Sequence, residues 1–247
     1  ALFNKALISL GFRFNWNSHE EDILIAPRIN IDFSLDRGWG NIIYNSGTYF
    51  QNPPEKYLSI IDNNDLKTIN TFQHSLTFEK LITNSTKFSI SIYKKNYHNA
   101  PMMDNNQAFI DPTFLLDELR TYLNIISNGK AETSGIEILL EKKRAINFYG
   151  LVGGSVYNST YNDQSGIKRN RNSNYEYLFN LVGGYRPNPN WEISLRWSLF
   201  GGKPYTKVDL ESSNFNNEEI LDYSEFNDYR TPVYHNLFLR YCLLYTS

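Results

Sequence analysis

The sequence has a single cysteine, almost no charge imbalance and no long apolar run. Its 247 residues include 24 Lys and Arg against 26 Asp and Glu, which gives a formal net charge of -2. One Cys excludes a disulfide framework and a Cys-based zinc site, and the balanced charge argues against a nucleic-acid binder with a basic face. Because no 18 consecutive apolar residues occur, the sequence predicts no transmembrane helix.

Aromatic residues and asparagine are abundant. The chain is 15% aromatic, with 18 Tyr and 16 Phe, and it contains 31 Asn, yet its mean hydropathy of -0.47 is that of a soluble protein. A transmembrane β-barrel combines these properties because only alternate residues of each strand face lipid, so the two faces average to a polar composition. The composition is therefore compatible with a membrane protein that is built from β-strands.

Strict alternation of apolar and polar residues is the clearest pattern. From Trp191 to Leu199, five apolar positions alternate with four polar ones. On a helix the polar side chains would spread around the circumference, whereas on a strand they all point to one side. The same alternation recurs in Ile8–Trp16, Arg28–Leu35 and Lys87–Tyr93. These segments are predicted to be β-strands.

Hydropathy alternation along the whole chain predicts ten strands, which together would occupy nearly half of it. They are Lys5–Asn17, Ile23–Leu35, Trp39–Phe50, Thr68–Lys80, Ser85–Lys94, Ala131–Leu140, Ile146–Asn158, Tyr175–Arg186, Trp191–Phe200 and Val233–Tyr241. At about ten to thirteen residues each, most are longer than the usual five or six. That length matches a tilted strand that crosses a bilayer.

The predicted connections alternate between short and long. The short turns are Asp36–Gly38, Leu81–Asn84, Glu141–Ala145 and Pro187–Asn190, and the long polar loops are Gln51–Lys67, Lys95–Lys130, Ser159–Asn174 and Gly201–Pro232. Ser18–Asp22 is a shorter member of the long class, and Asp111–Arg120 has the spacing of a short helix within a loop. Long loops confined to one end are typical of outer-membrane barrels.

The predicted fold is therefore all-β, an antiparallel up-and-down meander of about ten long strands, and its two faces have different chemistry. A charge in contact with lipid at the bilayer centre would cost roughly 2–4 kcal/mol, so the charged residues are predicted to face the lumen. The predicted lumen-facing residues are Arg13, Arg28, Asp32, Lys87, Glu137, Glu192 and Arg196. The predicted lipid-facing residues are Ile8, Leu10, Phe12, Phe14, Trp16, Ile29, Ile31, Phe33, Phe88, Ile90, Ile92, Trp191, Ile193, Leu195, Trp197 and Leu199.

Other chemistry-bearing residues fit structural roles. The four histidines, His19, His74, His98 and His235, lack metal-ligand spacing, and no cofactor, metal or catalytic motif is predicted. The acidic residues between Asp209 and Asp228 favour a solvated loop over a cation site. Trp16, Trp39, Trp191 and Trp197 fit interfacial aromatic girdles, although cross-strand pairing in an ordinary sheet is the alternative.

Four segments carry a resemblance to a known family. Trp191–Asp209 is similar to the arginine-containing strand and Gly-x-Pro-Tyr-Thr turn near the C-terminal end of TonB-dependent outer-membrane receptors. Tyr49–Pro54, Ser134–Ile138 and Pro232–Arg240 resemble three further motifs of that family in the expected order. The residues that match are Gln51, Pro53, Pro54, Gly135, Glu137, Gly202, Pro204, Tyr205, Thr206, Tyr234 and His235.

The resemblance implies a 22-stranded outer-membrane barrel filled by a plug domain, which imports a scarce ligand with energy from the TonB complex. The chain would then be part of a transport receptor and not an enzyme, with the outer-membrane lipid, the plug and TonB as partners. The sequence contains neither a plug nor a TonB box, so residues 1–241 are expected to form a partial barrel domain, an open curved sheet with two edges. The lumen-facing residues would then contact the plug or water.

Two other functions remain open at this point. One is a passive porin-like barrel without a plug, and the other is a soluble all-β carbohydrate-binding module. In a soluble module, the apolar faces of Ile8–Trp16 and Trp191–Leu199 would pack against each other across about 10 Å. In a barrel they would form one outward band about 25 Å tall.

The last six residues, Cys242–Ser247, break the expected strand pattern. This hexapeptide is the translation of the mosaic-end adapter used in transposase-based sequencing libraries. We therefore expect residues 242–247, and with them the only Cys, to be encoded by adapter read-through.

Overall fold

Ten long strands follow one another as antiparallel neighbours in a single open sheet. The computed structural model describes residues 5–17, 22–53, 55–58, 66–103, 125–143, 147–163 and 165–243. The ten strands are β1 (Ala6–Asn17), β2 (Asp22–Ser34), β3 (Asn41–Gln51), β4 (Ile69–Thr83), β5 (Thr86–Met103), β6 (Ile125–Lys142), β7 (Phe148–Asn162), β9 (Tyr177–Asn188), β10 (Trp191–Phe200) and β13 (Tyr234–Leu243). The predicted meander is confirmed, with β1 and β13 at the two edges.

Smaller elements lie at the end of the sheet that carries the long connections, which we call the loop end. They are α1 (Glu55–Leu58), β8 (Lys168–Asn170), β11 (Pro204–Tyr205), α2 (Leu210–Asn216) and β12 (Tyr229–Arg230). β8 pairs with β7, and β11 pairs with β12 as a separate two-stranded sheet. The opposite end, the turn end, has short connections such as Leu35–Gly40, where the Leu35 amide donates to the Gly40 carbonyl at 2.8 Å.

The cross-strand register keeps apolar residues opposite apolar residues. Ile8 lies opposite Ile31, and Leu10 lies opposite Ile29. Because directly opposed residues point to the same side of a sheet, this pairing carries one apolar face from β1 through to β13. We call this the apolar face, and its reverse the polar face.

Two strands extend farther than the sequence predicted. β5 runs to Met103 instead of ending at Lys94, and β6 begins at Ile125 instead of Ala131, so the predicted loop Lys95–Lys130 is wrong over these segments. Lys94, Asn96 and His98 occupy the apolar-face positions of this extension and are polar, which ends the hydropathy alternation. The backbone ladder continues regardless, because its hydrogen bonds do not depend on side-chain polarity.

Other predicted connections also need correction, and the first is the loop Gln51–Lys67, which contains α1. The predicted loop Ser159–Asn174 contains the end of β7 and all of β8, and the predicted loop Gly201–Pro232 contains β11, α2 and β12. Pro204 and Tyr205, predicted as a turn, form a strand paired with Tyr229 and Arg230. In the predicted turn Leu81–Asn84, strand β4 continues to Thr83 through an irregularity after Leu81. The predicted helix Asp111–Arg120 and the predicted strand start at Ile146 lie outside the described residues.

Among the described residues, the apolar face has no core of its own. Ile8, Leu10, Phe12, Phe14 and Trp16 are each 60–71% exposed. Buried side chains concentrate instead at the loop end, where Tyr57, Tyr161 and Phe226 are among the most enclosed. Large apolar side chains that stay exposed on one face of a sheet are typical of a surface that contacts an apolar environment such as lipid.

Candidate functional site at the loop end

All seven predicted lumen-facing residues lie on the polar face. Arg28 lies opposite Gly47 and Gly11, and its guanidinium stacks 4.3 Å from the centre of the Tyr49 ring. Glu192 accepts a hydrogen bond from the Tyr149 hydroxyl at 2.7 Å. The remaining register positions place Arg13, Asp32, Lys87, Glu137 and Arg196 on the same face. That this face lines a lumen stays a prediction.

The predicted lipid-facing residues all lie on the apolar face. The register connects them across neighbouring strands, with Ile90 opposite both Phe78 and Ile138, and Trp197 opposite both Leu181 and Leu237. The structure brings Trp191 between the Tyr185 and Tyr241 rings, whose centres lie 6.3 Å and 6.1 Å away. Their contact with lipid stays a prediction.

The family-motif residues divide between the ten-stranded sheet, which we call the wall, and the loops. Gly135 is a wall position where a side chain does not fit, because a Cβ atom would lie 2.6 Å from the Tyr157 Cβ and 2.9 Å from the Tyr93 hydroxyl. Gln51 ends β3, Pro53 is buried just beyond it, and Pro54 lies outside the described residues. Tyr234 and His235 begin β13, where the Tyr234 ring stacks 5.7 Å from that of Phe200.

The three histidines that the structure describes are not brought together. The His74 ring nitrogen lies 2.9 Å from the Tyr44 hydroxyl, His98 lies in β5 and His235 begins β13, while His19 lies outside the described residues. Within the described ranges, no three His, Cys, Asp or Glu side chains are placed to hold a metal ion.

At the loop end, a long connection packs onto the polar face of the sheet. Phe226, from the long connection between β10 and β13, is 6% exposed and packs in a cluster with Met102, Ala131 and Tyr161. Ala131 and Tyr161 lie directly opposite each other on the polar face of β6 and β7. The loop end of the sheet is therefore covered from its polar side.

A buried ion pair fixes the connection that contains β8. Arg169 Nε donates to Asp163 Oδ2 at 2.6 Å, and the two side chains are 4% and 0% exposed. Arg169 Nη1 also donates to the Ser224 carbonyl at 3.0 Å, which ties β8 to the connection between β10 and β13. The neighbouring Lys168 points the other way and forms an exposed ion pair with Glu132. The side chains of these two adjacent residues therefore lie on opposite faces of β8.

Asparagine side chains join the two connections further. The Asn227 side-chain amide donates to the Asn170 carbonyl at 2.9 Å and to Asn172 Oδ1 at 2.7 Å. In return, the Asn170 amide donates to the Asn227 carbonyl at 3.1 Å, and the Asn227 backbone amide donates to Thr206 Oγ1 at 3.0 Å. A short amide side chain carries both a donor and an acceptor, so it can replace missing backbone partners in both strands of such a junction.

Asn174 and Arg230 complete this junction. Asn174 is 1% exposed and donates to Asn158 Oδ1 at 3.1 Å and Asn170 Oδ1 at 2.8 Å. Arg230 Nη1 donates to the carbonyls of Asn174 at 2.6 Å and Gly202 at 3.0 Å. A Cβ on Gly202 would lie 2.1 Å from the Thr231 carbonyl oxygen, so this motif glycine allows the two chain segments to meet.

The connections that pack together at the loop end form what we call the loop assembly. Its outer part exposes aromatic and charged side chains. The Tyr205 and Tyr229 rings lie 6.0 Å apart, and Lys207 Nζ lies 3.4 Å from the centre of the Tyr229 ring. Several acidic residues here have local structural roles. Asp209 accepts from the Glu211 and Ser212 amides at the start of α2, and Asp222 accepts from the Ser224 amide at 3.0 Å. The Ser212 hydroxyl and amide hold the pKa of Asp209 below its usual value.

Sequence reasoning missed the residues that organise this assembly. Arg169, Asp163, Asn174, Asn227 and Arg230 lie in connections where no hydropathy period guides an assignment. The only signal in the sequence was the high asparagine content of the chain, which indicates neither the partners nor the depth of burial.

Comparison with known proteins identifies the family. The family described as "TonB dependent receptor-like, beta-barrel" matches residues 2–241. The chain belongs to this family. TonB-dependent receptors are outer-membrane transporters and not enzymes, so the predicted family, location and lack of enzymatic activity are confirmed.

Solved structures of TonB-dependent receptors share the fold at low sequence identity. The outer-membrane transporter YddB from Escherichia coli superposes with a TM-score of 0.65 at 10% identity, covering 96% of this chain and 36% of that one. A ferric enterobactin receptor mutant from Pseudomonas aeruginosa (PfeA), in complex with enterobactin, gives 0.65 at 11% identity, with 98% and 36% covered. The FrpB iron transporter from Neisseria meningitidis gives 0.58 at 12% identity, with 89% and 32% covered.

The chain thus spans about a third of the length of these TonB-dependent receptors. The comparison with curated protein sequences found no match. No helix in the part of the chain that the structure describes is both long and apolar enough to cross a membrane.

Proposed function

We propose that the complete protein is an energised importer that captures a scarce ligand at the loop end and passes it into the periplasm through the barrel. The observation that carries this proposal is the loop assembly packed onto the polar face, with Phe226 and Arg169 as its buried anchors. An assembly fixed in this position supports a surface above the lumen where a ligand is held before transport.

A plug domain is the proposed partner of the polar face. Arg28 Nε and Asp32 Oδ1 are buried, and neither has a hydrogen-bond partner among the described residues. Buried polar atoms in native proteins nearly always have partners, so a local shift that admits a plug group or an ordered water would satisfy these two atoms. We propose that the plug supplies these partners and that the TonB complex supplies the energy to move the plug, as the family implies.

The ligand surface is proposed to include the exposed rim around Tyr205, Lys207 and Tyr229. Two tyrosine rings, 6.0 Å apart and tilted by 45° to each other, and a cation offer both aromatic and electrostatic contacts. Among the structural neighbours, one is a ferric enterobactin receptor in complex with enterobactin and another is an iron transporter. A ferric chelate is therefore the first ligand class to test, followed by cobalamin, glycans and peptides.

The test uses the full-length protein that contains this sequence. Purified protein is incubated with spent culture medium, captured small molecules are identified by mass spectrometry, and uptake of the captured molecule is then measured in cells with and without TonB. We expect uptake to require TonB and to fall when Tyr205 and Tyr229 are both replaced by Ala.

Two results would contradict the proposal. Equal uptake in cells lacking TonB, together with a stable open-channel conductance in planar bilayers, would instead support the passive porin-like barrel. Capture that is unchanged by the Tyr205→Ala and Tyr229→Ala replacements would move the ligand surface away from this rim.

A further inference from the structure

An apolar groove is recessed into the apolar face near the turn end. It has a volume of about 340 Å³ and lies across β6, β7, β9 and β10. Its walls are formed mainly by aliphatic side chains, which include Leu140, Val152, Leu181, Ile193 and Leu195. These side chains belong to the same face as the exposed apolar residues of β1.

Two facing glycines open the groove. Gly150 and Gly183 lie directly opposite each other on the apolar face, so one complete side-chain pair is missing from the wall. The pair Val152 and Leu181 closes this gap toward the loop end, whereas Phe148 and Tyr185 bound it toward the turn end. The result is a slot, one side-chain layer deep, with defined ends.

A cation lies at the edge of this slot. Lys142 is directly opposite Gly150 on the apolar face, and its Nζ atom lies 3.5 Å from Thr86 Oγ1. No acidic residue that the structure describes forms an ion pair with Lys142. An apolar slot with one uncompensated cation complements a molecule that has an apolar chain and an anionic group at its end.

We propose that this groove binds one acyl chain of a phospholipid, with the lipid phosphate next to Lys142. The inference rests on the predicted contact of the apolar face with lipid and adds a specific lipid site to it. A partner helix, about 10–12 Å across with its side chains, is wider than a slot left by one missing side-chain pair. The short-turn end of an outer-membrane barrel faces the periplasm, so the site takes lipid from the periplasmic leaflet.

Photo-crosslinking of the full-length protein in nanodiscs tests the site. One sample contains phosphatidylglycerol with a photoreactive acyl chain, and a second contains diacylglycerol with the same chain but no phosphate. We expect phosphatidylglycerol to label Val152 and Leu181 several-fold more than Phe12 and Phe14, which lie on the same face away from the groove. Diacylglycerol is expected to label these two pairs of residues much more evenly.

Two pairs of variants separate the phosphate contact from the groove itself. Lys142→Gln should reduce groove labelling by phosphatidylglycerol several-fold. Lys80→Gln should not, because Lys80 is also on the apolar face near the turn end but lies over the Trp39 ring, outside the groove. Gly183→Ala narrows the groove and should also reduce labelling, whereas Gly154→Ala adds a methyl group in ordinary contact with Phe179 outside it.

The negative results are distinguishable. Even phosphatidylglycerol labelling over the whole apolar face would overturn the groove while leaving the lipid contact of that face intact. Groove labelling that is equal for both probes and insensitive to Lys142→Gln would overturn the phosphate contact, and with it the proposed site. No labelling anywhere on the apolar face would overturn the site together with the membrane orientation on which it rests.

Discussion

The wall and the loop assembly of this chain are stabilised in opposite ways. In the wall, the apolar side chains lie together on one face and stay exposed within the chain, and neighbouring strands are joined by a regular backbone ladder. In the loop assembly, polar side chains such as Arg169 and Asn174 are buried and supply the hydrogen bonds that irregular backbone lacks. The wall therefore depends on its surroundings, whereas the loop assembly depends on a few specific internal partners.

This difference predicts that single substitutions act locally and strongly in the loop assembly. Arg169→Met leaves the Asp163 carboxylate buried without its partner, and breaking a buried pair in this way costs about 3–5 kcal/mol. We expect backbone amides of residues 165–176 and 222–230 to exchange hydrogen much faster, while exchange in β1–β4 is unchanged. Hydrogen exchange with mass spectrometry on the full-length protein measures both regions at once.

The neighbouring Lys168→Met is the matched control for this prediction. Its ion pair with Glu132 is exposed, and exposed pairs contribute about 0–1 kcal/mol. Adding Asp163→Leu to Arg169→Met should restore part of the protection, because it removes the unpaired buried charge. The bonds from Arg169 to the Ser224 carbonyl and from the Ile167 amide to Asp163 stay lost, so recovery should be incomplete. Equal effects of Arg169→Met and Lys168→Met would show that the loop assembly does not depend on its buried pair.

In the wall, the face of a substitution should matter more than its position along the strand. Ile90→Arg places a charge on the apolar face beside Phe78 and Ile138, and should cost roughly 2–4 kcal/mol if that face meets lipid. Ser91→Arg, one residue away, places the same charge on the polar face opposite Glu137, and should cost much less. Urea titration of the full-length protein folded into lipid vesicles gives both values. Similar costs for the two variants would contradict the assignment of the faces.

The asparagine junction should show an intermediate effect. Asn227→Gly removes the side-chain amide that contacts Asn170 and Asn172 but keeps the positive φ of 59° favourable. Leaving these acceptors without a donor in a buried site is expected to cost about 1–3 kcal/mol. Asn217→Gly is the control, because Asn217 also has a positive φ, 52°, but is exposed at the end of α2. Hydrogen exchange that is faster at residues 165–176 only in the Asn227 variant would confirm the junction.

The smallest effect is expected at the exposed start of α2. The pKa of Asp209 is lowered in the folded chain, and the largest cause is the hydrogen bond from the Ser212 hydroxyl. Its stabilisation of the helix should therefore be complete above the unfolded pKa near 3.8 and be lost as the pH falls through the lower folded value. Amide exchange of residues 211–216 as a function of pH measures this, and Asp209→Asn should remove the dependence. An unchanged pH profile in that variant would assign the titration to another group.

How much the sequence predicted differs between the two regions. For the wall, alternation in segments such as Trp191–Leu199 predicted the strand and the face of each residue, because a period of two leaves only one way to separate apolar from polar side chains. The ends of β5 and β6 were missed, because the positions on the apolar face become polar from Lys94 onward and the hydropathy alternation stops there. The lipid or lumen contact of each face remains a prediction.

For the loop assembly, the sequence predicted only that long polar connections exist. Nothing in the order of residues indicates that Arg169 turns inward to Asp163 while the adjacent Lys168 turns outward to Glu132. The origin of Cys242 also stays a prediction. Cys242 lies in β13 opposite Glu192 of β10, and this position does not distinguish a native residue from one encoded by an adapter.

The sequence by itself determined that this protein is a meander of long strands with one apolar and one polar face, because hydropathy and β-sheet geometry have the same period. Only the tertiary structure decided which connections meet above the polar face and which polar groups become buried there. That outcome depends on contacts between Arg169 and Ser224, or Asn170 and Asn227, which are more than fifty residues apart along the chain. Contacts over such separations leave no periodic pattern in the sequence.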